Sequence, residues 1–420
     1  MRIDDLRQES DGEWITLSAR LTWEDNDRPT QRVVFQAPPA LVGDLECSPN
    51  AFLAAAAVPA MHFGERRLRI EGAVCPVLHD GLLTILTLFR EWYGKERVIP
   101  AIEPAGGFIA TRPRTPNRAA QFFSGGIDAL ATLRRNRLMY PVDHPGSIRD
   151  CYNVFGMHPD DYRGSEPNPA RVAFWDHTLR QLRGITDAAN VELFQLRTNV
   201  VGVFKSGRLF SYEYHSAIML SLAHLLTRRA SDVLLASSHY LDSFGPWGSH
   251  PLIDPCYGSS AVRIHHDGIR LKRLEKVRLI AEWPAALSML NVCSNFKVPE
   301  AGINCGRCEK CLRTMLQLLV CKKLDQCPTF PSHDVDPQLI SQINLRSPGE
   351  VEFVLECVEH LRAMGRLDLI AAIRERVADY NAWKRRQDGY GLTPKLKKLD
   401  KQLLGGWMRR RWLARQQSGV

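Results

Sequence analysis

Residues 122–130 read Phe-Phe-Ser-Gly-Gly-Ile-Asp-Ala-Leu. An apolar run ends at Phe123, the loop Ser124-Gly125-Gly126 follows, and a helix-like segment begins at Ile127-Asp128. Two glycines let backbone N–H groups approach an anion closely, and a helix N-terminus adds a partial positive charge. The stretch therefore predicts a phosphate-binding loop between a strand and a helix, with Asp128 either capping the helix or holding a magnesium ion. An ordinary tight turn is the alternative.

The segment around this loop alternates strand-like and helix-like stretches from residue 117 to about residue 290. Such alternation predicts an α/β fold in which a parallel sheet has helices on both faces. The predicted strands and helices are 119–123, near 128, 151–155, 169–188, 191–196, 212–229 and 233–237. Ligands of open sheets in this class bind beyond the carboxyl ends of the strands, so we expect the loops after these strands to share one site.

Four cysteines further along the chain are spaced like the ligands of one metal ion. Cys293 is followed by Cys305, Cys308 and Cys311 in the run Asn-Cys-Gly-Arg-Cys-Glu-Lys-Cys. Four thiolates in tetrahedral geometry suit Zn2+, with each sulfur about 2.3 Å from the ion. An iron–sulfur cluster also takes four thiolates and is the alternative. The spacing predicts a closed structural site, which stabilises the fold and does no chemistry itself.

Taken together, the Ser-Gly-Gly-x-Asp pattern at 124–128 and the four cysteines resemble the QueC-like (7-cyano-7-deazaguanine synthase-like) proteins of the PP-loop ATP pyrophosphatase superfamily. The resemblance covers residues 117 to about 325. It implies a PP-loop, HUP-type Rossmann-like fold that uses ATP, Mg2+ and Zn2+. It also implies adenylation of a deazapurine carboxylate, such as 7-carboxy-7-deazaguanine, with release of AMP and pyrophosphate and conversion to an amide or nitrile.

The chain departs from this family pattern in three places. Ala129 stands where the motif usually ends in serine, Cys293 is farther from Cys305 than expected, and residues 237–255 lack the substrate loop of the family. Divergent members occur in anti-phage defence operons, where the chemistry is turned on a protein. The length and extra domains of this chain fit that branch, which implies a protein partner from the same operon.

The resemblance also implies an ATP site and its catalytic residues. The ATP-binding residues would be Phe123, Ser124, Gly125, Gly126, Ile127 and Asp128 at the phosphates, with Phe155, Gly156 and Met157 at the adenine. A cation is needed to offset charge on the leaving pyrophosphate, and the candidates are Lys205, Lys276 and Arg278, each with a surface position as the alternative. Asp128 and Lys276 are the predicted catalytic residues. Glu213 is a weaker candidate, for which a solvated side chain is favoured.

Polar residues after the second and fourth predicted strands are candidates for binding the substrate. They are His158, Ser238, His239, Ser249, His250 and Asp254. Side chains of these types could bind the substrate head or the attacking amine. The alternative is a structural loop in which His250 orders Asp254. The run at 265–268, His-His-Asp-Gly, is predicted to be a hairpin turn without a metal.

Three domains are predicted along the chain. They are an α+β module at 1–115, the PP-loop domain with its zinc cysteines at 116–328, and a helical region with a basic tail at 329–420. From Lys384 to Val420, eleven Lys and Arg stand against two Asp and Glu, which accounts for the whole net charge of +9. Such a tail favours RNA, a membrane surface or an acidic partner, and a solvated helix is the alternative.

Composition predicts a soluble, cytoplasmic protein with no membrane span. The first residues contain no apolar signal region, and no apolar run approaches the roughly 18 residues of a membrane helix. Eleven cysteines, four of them grouped like metal ligands, fit a reducing compartment.

Two other functions stay open. The basic tail suggests a PP-loop enzyme that modifies tRNA, although a second Cys-x-x-Cys pair for sulfur transfer is lacking. Ala129 suggests a degenerate nucleotide-binding partner subunit. Because the sequence shows no Ser-His-Asp or Cys-His nucleophile, we expect catalysis to rest on positioning and electrostatics.

Overall fold

The computed structural model describes residues 1–111, 114–115, 117–164, 166–293, 304–389, 399–400, 403, 405 and 407. Its strands are β1 Arg2–Ser10, β2 Ile15–Thr22, β3 Gln31–Ala37, β4 Arg67–Ile70, β5 Ala101–Pro104, β6 Ala119–Phe122, β7 Ile148–Phe155, β8 Tyr162–Arg163, β9 Glu166–Pro167, β10 Glu192–Thr198, β11 Asp232–Ala236 and β12 Arg263–Asp267. Its α-helices are α1 Pro49–His62, α2 Pro76–Tyr93, α3 Ile127–Met139, α4 Pro169–Ala188, α5 Val200–Val203, α6 His215–Ala223, α7 Arg273–Ala281, α8 Pro284–Ser288, α9 Glu309–Val320, α10 Pro337–Ile340, α11 Pro348–Leu355, α12 Val358–Ala363 and α13 Leu367–Gly389.

Ten strands form one sheet in the order β12-β11-β6-β7-β10-β3-β2-β1-β4-β5. From β12 to β10 every neighbouring pair is parallel. Within this half, β6 comes first in the chain and lies between β7 and β11, so the strand order reverses at β6. Open α/β sheets bind their ligands at such a switch point. The loops that follow β6 and β11 therefore border the candidate site.

The N-terminal strands continue this sheet. β3 pairs antiparallel with β10 through Gln36–Arg197 and Phe35–Thr198. β2 is antiparallel to both of its neighbours, β1 and β3, whereas β4 pairs parallel with β1 and β5 pairs parallel with β4. The α/β class is thus confirmed, but the sheet is mostly rather than wholly parallel. The domain boundaries at 115 and 328 stay predictions.

Helices cover both faces of the sheet. On one face, α1, α2 and α6 bury an apolar cluster that includes Phe122 and Val233. On the other face, α3, α4, α7 and α9 bury a cluster that includes Phe123 and Cys151. The neighbours Phe122 and Phe123 enter opposite clusters because successive side chains of an extended backbone point to opposite faces.

Four predicted strands lie within three residues of their expected bounds as β6, β7, β10 and β11, and the helix predicted at 169–188 is α4. The helix predicted at 212–229 is shorter. A π-helical turn, Leu209–Glu213, precedes α6, and α6 ends at Ala223.

The prediction of a hairpin turn at 265–268 is wrong, because this segment ends the edge strand β12, which runs parallel to β11. Polar side chains are tolerated there since each has a partner. His265 contacts Asp232, His266 contacts Asp254, and Asp267 accepts a hydrogen bond from a threonine of α3.

Among the described helices, none combines the length and the apolar composition that crossing a membrane requires. Most of the basic tail from Lys384 to Val420 lies outside the described residues. The RNA-binding prediction for that tail is therefore untested.

Candidate functional site

The loop between β6 and α3 is held by its neighbouring strand. The Phe123 N–H donates to the Tyr152 carbonyl at 2.8 Å, and Asn153 Nδ2 donates to the Phe123 carbonyl at 2.9 Å. Gly125 has a φ of +74°, and a Cβ there would lie 2.2 Å from the Leu182 side chain. Both facts require glycine at this position. The loop consequently has one defined shape at the end of β6.

The helix α3 begins at Ile127 and has Gly126 as its N-cap residue. The Gly126 N–H donates to the Ser124 hydroxyl at 3.3 Å. Asp128 lies inside the first turn, so it does not cap the helix, which removes one of its two predicted roles. The first N–H groups of a helix have no intrahelical acceptor and suit an anion. The residues predicted to bind phosphate thus meet at a helix N-terminus.

Two cations from α7 hold Asp128. Lys276 Nζ lies 3.0 Å from Asp128 Oδ1, and Arg273 Nη1 lies 2.6 Å from Asp128 Oδ2. Lys276 also donates to the Ser237 carbonyl just after β11. Burial disfavours the charged carboxylate, but Arg273 and Lys276 outweigh burial and lower the pKa of Asp128. The predicted catalytic residues Asp128 and Lys276 are therefore in contact, between the loops that follow β6 and β11.

Arg313 on α9 adds a third cation. Its buried side chain forms an ion pair with Glu309 at 3.2 Å, and burial together with the nearby Arg273 lowers the pKa of Arg313 to about 10. The Phe353 ring lies 5.7 Å from the Arg273 guanidinium carbon and 4.7 Å from that of Arg313. Within the described part of the chain, neither Nε atom has a hydrogen-bond partner, although both are buried. We call Arg273, Lys276 and Arg313 the cation cluster.

The sulfur atoms of Cys293, Cys305, Cys308 and Cys311 all lie within 4.8 Å of one another. The Sγ atoms of Cys293 and Cys308 are 4.0 Å apart, and those of Cys305 and Cys311 are 3.9 Å apart. Thiolates placed tetrahedrally about 2.3 Å from a zinc ion are separated from each other by about 3.8 Å. The four side chains are therefore spaced to hold a metal ion such as zinc, as the sequence predicts.

Hydrogen bonds tie the cysteine segment to the loop at 124–126. Asn304 Oδ1 accepts from the N–H groups of Val292 and Cys293 at 3.0 and 3.2 Å. The Asn291 N–H in turn donates to the Gly125 carbonyl at 3.4 Å. The helix that carries Arg313 begins directly after Cys308. The cysteine cluster is therefore connected both to the loop at 124–126 and to the helix that carries one member of the cation cluster.

The loop after β7 lies at the same edge of the sheet. Gly156 has a φ of +98°, and a Cβ there would lie 1.8 Å from the Thr198 carbonyl oxygen. Asp161 Oδ2 accepts from the N–H groups of Gly156 and His158 at 3.1 and 3.0 Å. The Gly156 N–H is thus used within the loop. The adenine contacts expected of residues 155–157 stay a prediction.

Four of the six predicted substrate residues form one cluster. Asp254 accepts from Ser249 Oγ at 2.9 Å and from the His250 N–H at 3.2 Å. The ring of Phe244 lies 5.9 Å from that of His239 and 5.1 Å from that of His250. Burial lowers the pKa of both histidines. The hydrogen bond between His250 and Asp254 agrees with the structural alternative, while the shared aromatic surface suits a ligand.

The other two predicted substrate residues lie outside this cluster of contacts. Ser238 is half-buried in the loop that connects Ser237 to His239. His158 caps the short helix after β7 by accepting the Asp160 N–H at 3.2 Å. Their contact with a substrate stays a prediction.

The sequence interpretation missed His266, which completes the cluster. His266 Nδ1 lies 2.6 Å from Asp254 Oδ2, and the His266 ring lies 5.4 Å from that of Phe244. Ser249 and His266 both contact the same carboxylate, so the group is not a Ser-His-Asp nucleophile. The alternation of side chains along β12 could have located His266. Ile264, two residues earlier on the same face of the strand, belongs to the apolar cluster that includes Phe122.

Three other residues of the site were also missed. Arg273 precedes Lys276 by three residues, a spacing that places both on one helix face. Arg313 follows the last cysteine on α9. Phe353 comes from the region 329–420, in which the sequence shows no chemical motif. Of these three residues, only Arg273 could have been located from a local sequence pattern.

The remaining candidate cations and Glu213 lie elsewhere. Lys205 and Arg278 are exposed, which agrees with the surface alternative. Glu213 is fully buried rather than solvated, and it accepts hydrogen bonds from Arg97 at 2.6 and 2.8 Å and from His62 at 3.3 Å. Burial opposes its ionisation, but these hydrogen bonds prevail and lower the pKa of Glu213 to about 2.

Comparison of the chain with protein-family models, with curated proteins and with solved structures finds no match. The function is therefore inferred from the residues and the geometry of the site.

Proposed function

We propose that the protein is a QueC-like enzyme that adenylates a carboxylate with ATP and releases AMP and pyrophosphate. One observation carries the proposal: the cation cluster contacts Asp128, next to the loop at 124–126 and at the switch point of the sheet. The helix N-terminus and three buried cations supply the positive field that a triphosphate needs.

The carboxylates around the cation cluster do not neutralise it. Three carboxylates, Asp128, Glu309 and Glu350, act on the three cations, and Lys310 nearby adds a fourth positive charge. Two buried Nε donors, one on each arginine, have no partner among the described residues. Buried donors are normally paired, so this excess favours an anionic ligand with several acceptor oxygens. A triphosphate meets that description.

In this proposal, each charged residue of the site has a defined role. Asp128 positions Arg273 and Lys276, and Lys276 contacts the pyrophosphate as it leaves. Asp128, the carboxylate nearest the loop, would hold Mg2+, which would neutralise charge on the phosphates. Because the cations are in place before the reaction, charge that develops on the leaving group is stabilised without rearrangement.

We assign zinc to the site of Cys293, Cys305, Cys308 and Cys311. The separations of 3.9 and 4.0 Å between sulfur atoms match a tetrahedral ion. Four protein ligands leave no open position for a substrate, so the ion would have a structural role. It would fix α9, with Arg313, relative to the loop that contains Gly125.

We propose that the aromatic cluster after β11 binds the head of the substrate. The rings of Phe244 and Trp247 lie 5.9 and 5.8 Å from that of His239. His239 stacks on Phe353 with ring centroids 5.9 Å apart and an interplanar angle of 10°. Flat rings with polar edges suit a planar heterocycle such as a deazapurine. Since Phe353 also contacts the cation cluster, a carboxylate on that heterocycle would lie near the phosphates.

The acyl acceptor would be ammonia or a protein partner from the same operon. The test is a turnover assay with ATP, magnesium, an ammonium salt and 7-carboxy-7-deazaguanine, read by mass spectrometry. We expect AMP together with an amide or nitrile product. ADP in place of AMP, or no AMP with and without the partner protein, would overturn the proposed adenylation.

A nucleotide-binding subunit without turnover is the second candidate. Two observations favour binding over catalysis. Both carboxylate oxygens of Asp128 contact a cation, Arg273 or Lys276, and Ala129 stands in place of the usual serine. Calorimetry would then detect ATP binding although no AMP forms in the presence of the partner. Among the described residues, no observation favours a tRNA-modifying reaction.

A further inference from the structure

His266 and Asp254 form a buried pair beside the proposed substrate site. Asp254 accepts three hydrogen bonds, from Ser249 Oγ at 2.9 Å, from the His250 N–H at 3.2 Å and from His266 Nδ1 at 2.6 Å. Asp254 is fully buried, and only 3% of the His266 side chain is exposed. An ionised carboxylate can only accept hydrogen bonds, so the proton of the short contact belongs to Nδ1 of His266.

The second ring nitrogen of His266, Nε2, is the remaining polar atom of the pair. With its proton on Nδ1, a neutral imidazole presents a lone pair at Nε2. This Nε2 atom is buried and has no hydrogen-bond partner within the described ranges of the chain. Buried polar atoms without partners are rare in proteins. A ligand that donates a hydrogen bond would supply the missing partner.

Phe244 links His266 to the rest of the site. Its ring lies 5.4 Å from that of His266 and 5.9 Å from that of His239. His239 stacks on Phe353, whose other neighbours are the guanidinium groups of the cation cluster. The rings of Phe244, His239 and Phe353 thus lie in series between His266 and the cation cluster proposed to hold ATP.

We propose that Asp254 and His266 deprotonate the amine nucleophile that displaces AMP, an inference that rests on the proposed adenylation. The nitrogen of ammonia or a primary amine attacks the carbonyl carbon of the acyl adenylate. A C–N bond forms, the bond from that carbon to the phosphate oxygen breaks, and AMP leaves with the electron pair. One proton passes from the nitrogen to His266 Nε2.

Asp254 is a positioning residue in this step, because it orients the ring and stabilises the imidazolium that forms. Ammonia and a primary amine are the chemical classes that carry the N–H needed to meet Nε2.

The test compares two nucleophiles on the variant His266→Asn, in which the amide keeps an N–H donor for Asp254 but Nε2 is lost. Ammonium is protonated at neutral pH and needs a base, whereas hydroxylamine is largely unprotonated and traps acyl adenylates directly. We expect the ammonium-dependent product of 7-carboxy-7-deazaguanine to fall by about 10²–10⁴-fold. Hydroxamate formation should fall by less than about tenfold.

The ratio of the two products decides between the outcomes. Equal losses with both nucleophiles, or no loss with ammonium, would overturn the role of His266. If the wild-type protein forms neither AMP nor hydroxamate, the proposed adenylation itself fails, and this inference fails with it. Asp254→Asn should also lower the ratio, because the ring loses its anionic partner.

His265→Asn is the matched control. His265 is the neighbouring residue on β12, points to the opposite face of the sheet, and contacts Asp232 at 2.7 Å. The product ratio of this variant should equal that of the wild type. If His266→Asn loses its metal or unfolds at a lower temperature than His265→Asn, the variant His266→Gln is tested in its place. We then expect the product ratio predicted for His266→Asn.

Discussion

Asp128 and Glu213 are both carboxylates surrounded by cations, but their clusters are built differently. Around Glu213, Arg97 donates two hydrogen bonds and His62 contributes one, so the donors converge on the carboxylate. Around Asp128, Arg273 and Lys276 each make one contact, and donors of the cation cluster stay unused among the described residues. We call the first the closed cluster and the second the open cluster.

This difference separates a structural ion cluster from a candidate binding site. A buried donor without a partner costs free energy, so its presence favours a ligand that bonds to it. The pKa of the carboxylate is lowered in both clusters and does not distinguish them. What distinguishes them is the number of donors relative to acceptors, which can be altered in either cluster by one substitution.

The largest effect is expected when the open cluster receives an additional carboxylate. Gly126 has a φ of −80°, and a Cβ there would lie 3.4 Å from its nearest neighbour, Ser124 Oγ. Gly126→Asp should therefore fold, while its negative charge competes with phosphate for the cations. We expect ATP turnover to fall by more than roughly 10³-fold, measured as AMP release.

Gly202→Asp is the matched control for that substitution. Gly202 is exposed, and a Cβ there would have no neighbour within 4 Å. This variant should keep wild-type turnover and wild-type stability. Equal turnover in Gly126→Asp and Gly202→Asp would show that the loop is not the ATP site.

Loss of the metal should loosen the open cluster and leave the closed cluster intact. Cys308→Ser removes one of four sulfur ligands at the start of the helix that carries Arg313. We expect loss of bound metal and a stability decrease of several kcal/mol, because structural zinc sites contribute on the order of 10 kcal/mol. Elemental analysis and thermal unfolding measure both. Cys321→Ser, outside the cysteine cluster, should retain the metal.

Removal of one cation from the open cluster should affect turnover more than stability. In Lys276→Met, Asp128 keeps Arg273 as its partner but the buried Ser237 carbonyl loses its donor, so we expect stability to fall by about 1–3 kcal/mol. The loss of a charge at the leaving pyrophosphate should lower kcat by about 10²–10³-fold. Arg278→Met, on an exposed position of the same helix, is the control. Equal losses in the two variants would contradict the assignment of Lys276.

Local signals account for what could be predicted from the sequence. The glycine loop at 124–126 and the spacing of the last three cysteines each lie within a few residues, so neither depends on knowing the strand order. The alternation between residues 117 and 290 located four strands of the sheet. The glycine loop located Asp128 at the sheet edge, whereas Lys276 was predicted only as one of three candidate cations.

The contacts that were missed depend on elements distant in the chain. Arg313 lies on α9, which begins after Cys308 of the cysteine cluster, and Phe353 lies on a helix with no motif. The sequence predicts a turn at His266 because polar residues are uncommon in strands, whereas in the fold His265, His266 and Asp267 each have a polar partner. The N-terminal strands join the sheet through two residue pairs at β3 and β10, for which the sequence has no local mark.

The smallest effect is expected at the closed cluster and concerns stability alone. Lowering the pKa of Glu213 from its usual 4.5 to about 2 corresponds to about 3 kcal/mol. Because the folded state has the lower pKa, the unfolded state binds more protons between these values. The contribution is therefore complete above about pH 5 and is lost as the pH falls toward about 2.

Glu213→Gln removes this contribution, so it should be less stable than the wild type by up to about 3 kcal/mol at neutral pH. The difference should shrink in denaturant titrations at about pH 4 and pH 3, where the wild type loses the same contribution. ATP turnover of the folded variant at neutral pH should stay unchanged, because Arg97 and His62 have no assigned ligand. A loss of turnover with unchanged stability would place Glu213 in the active site, and the number of unused donors would then no longer separate the two clusters.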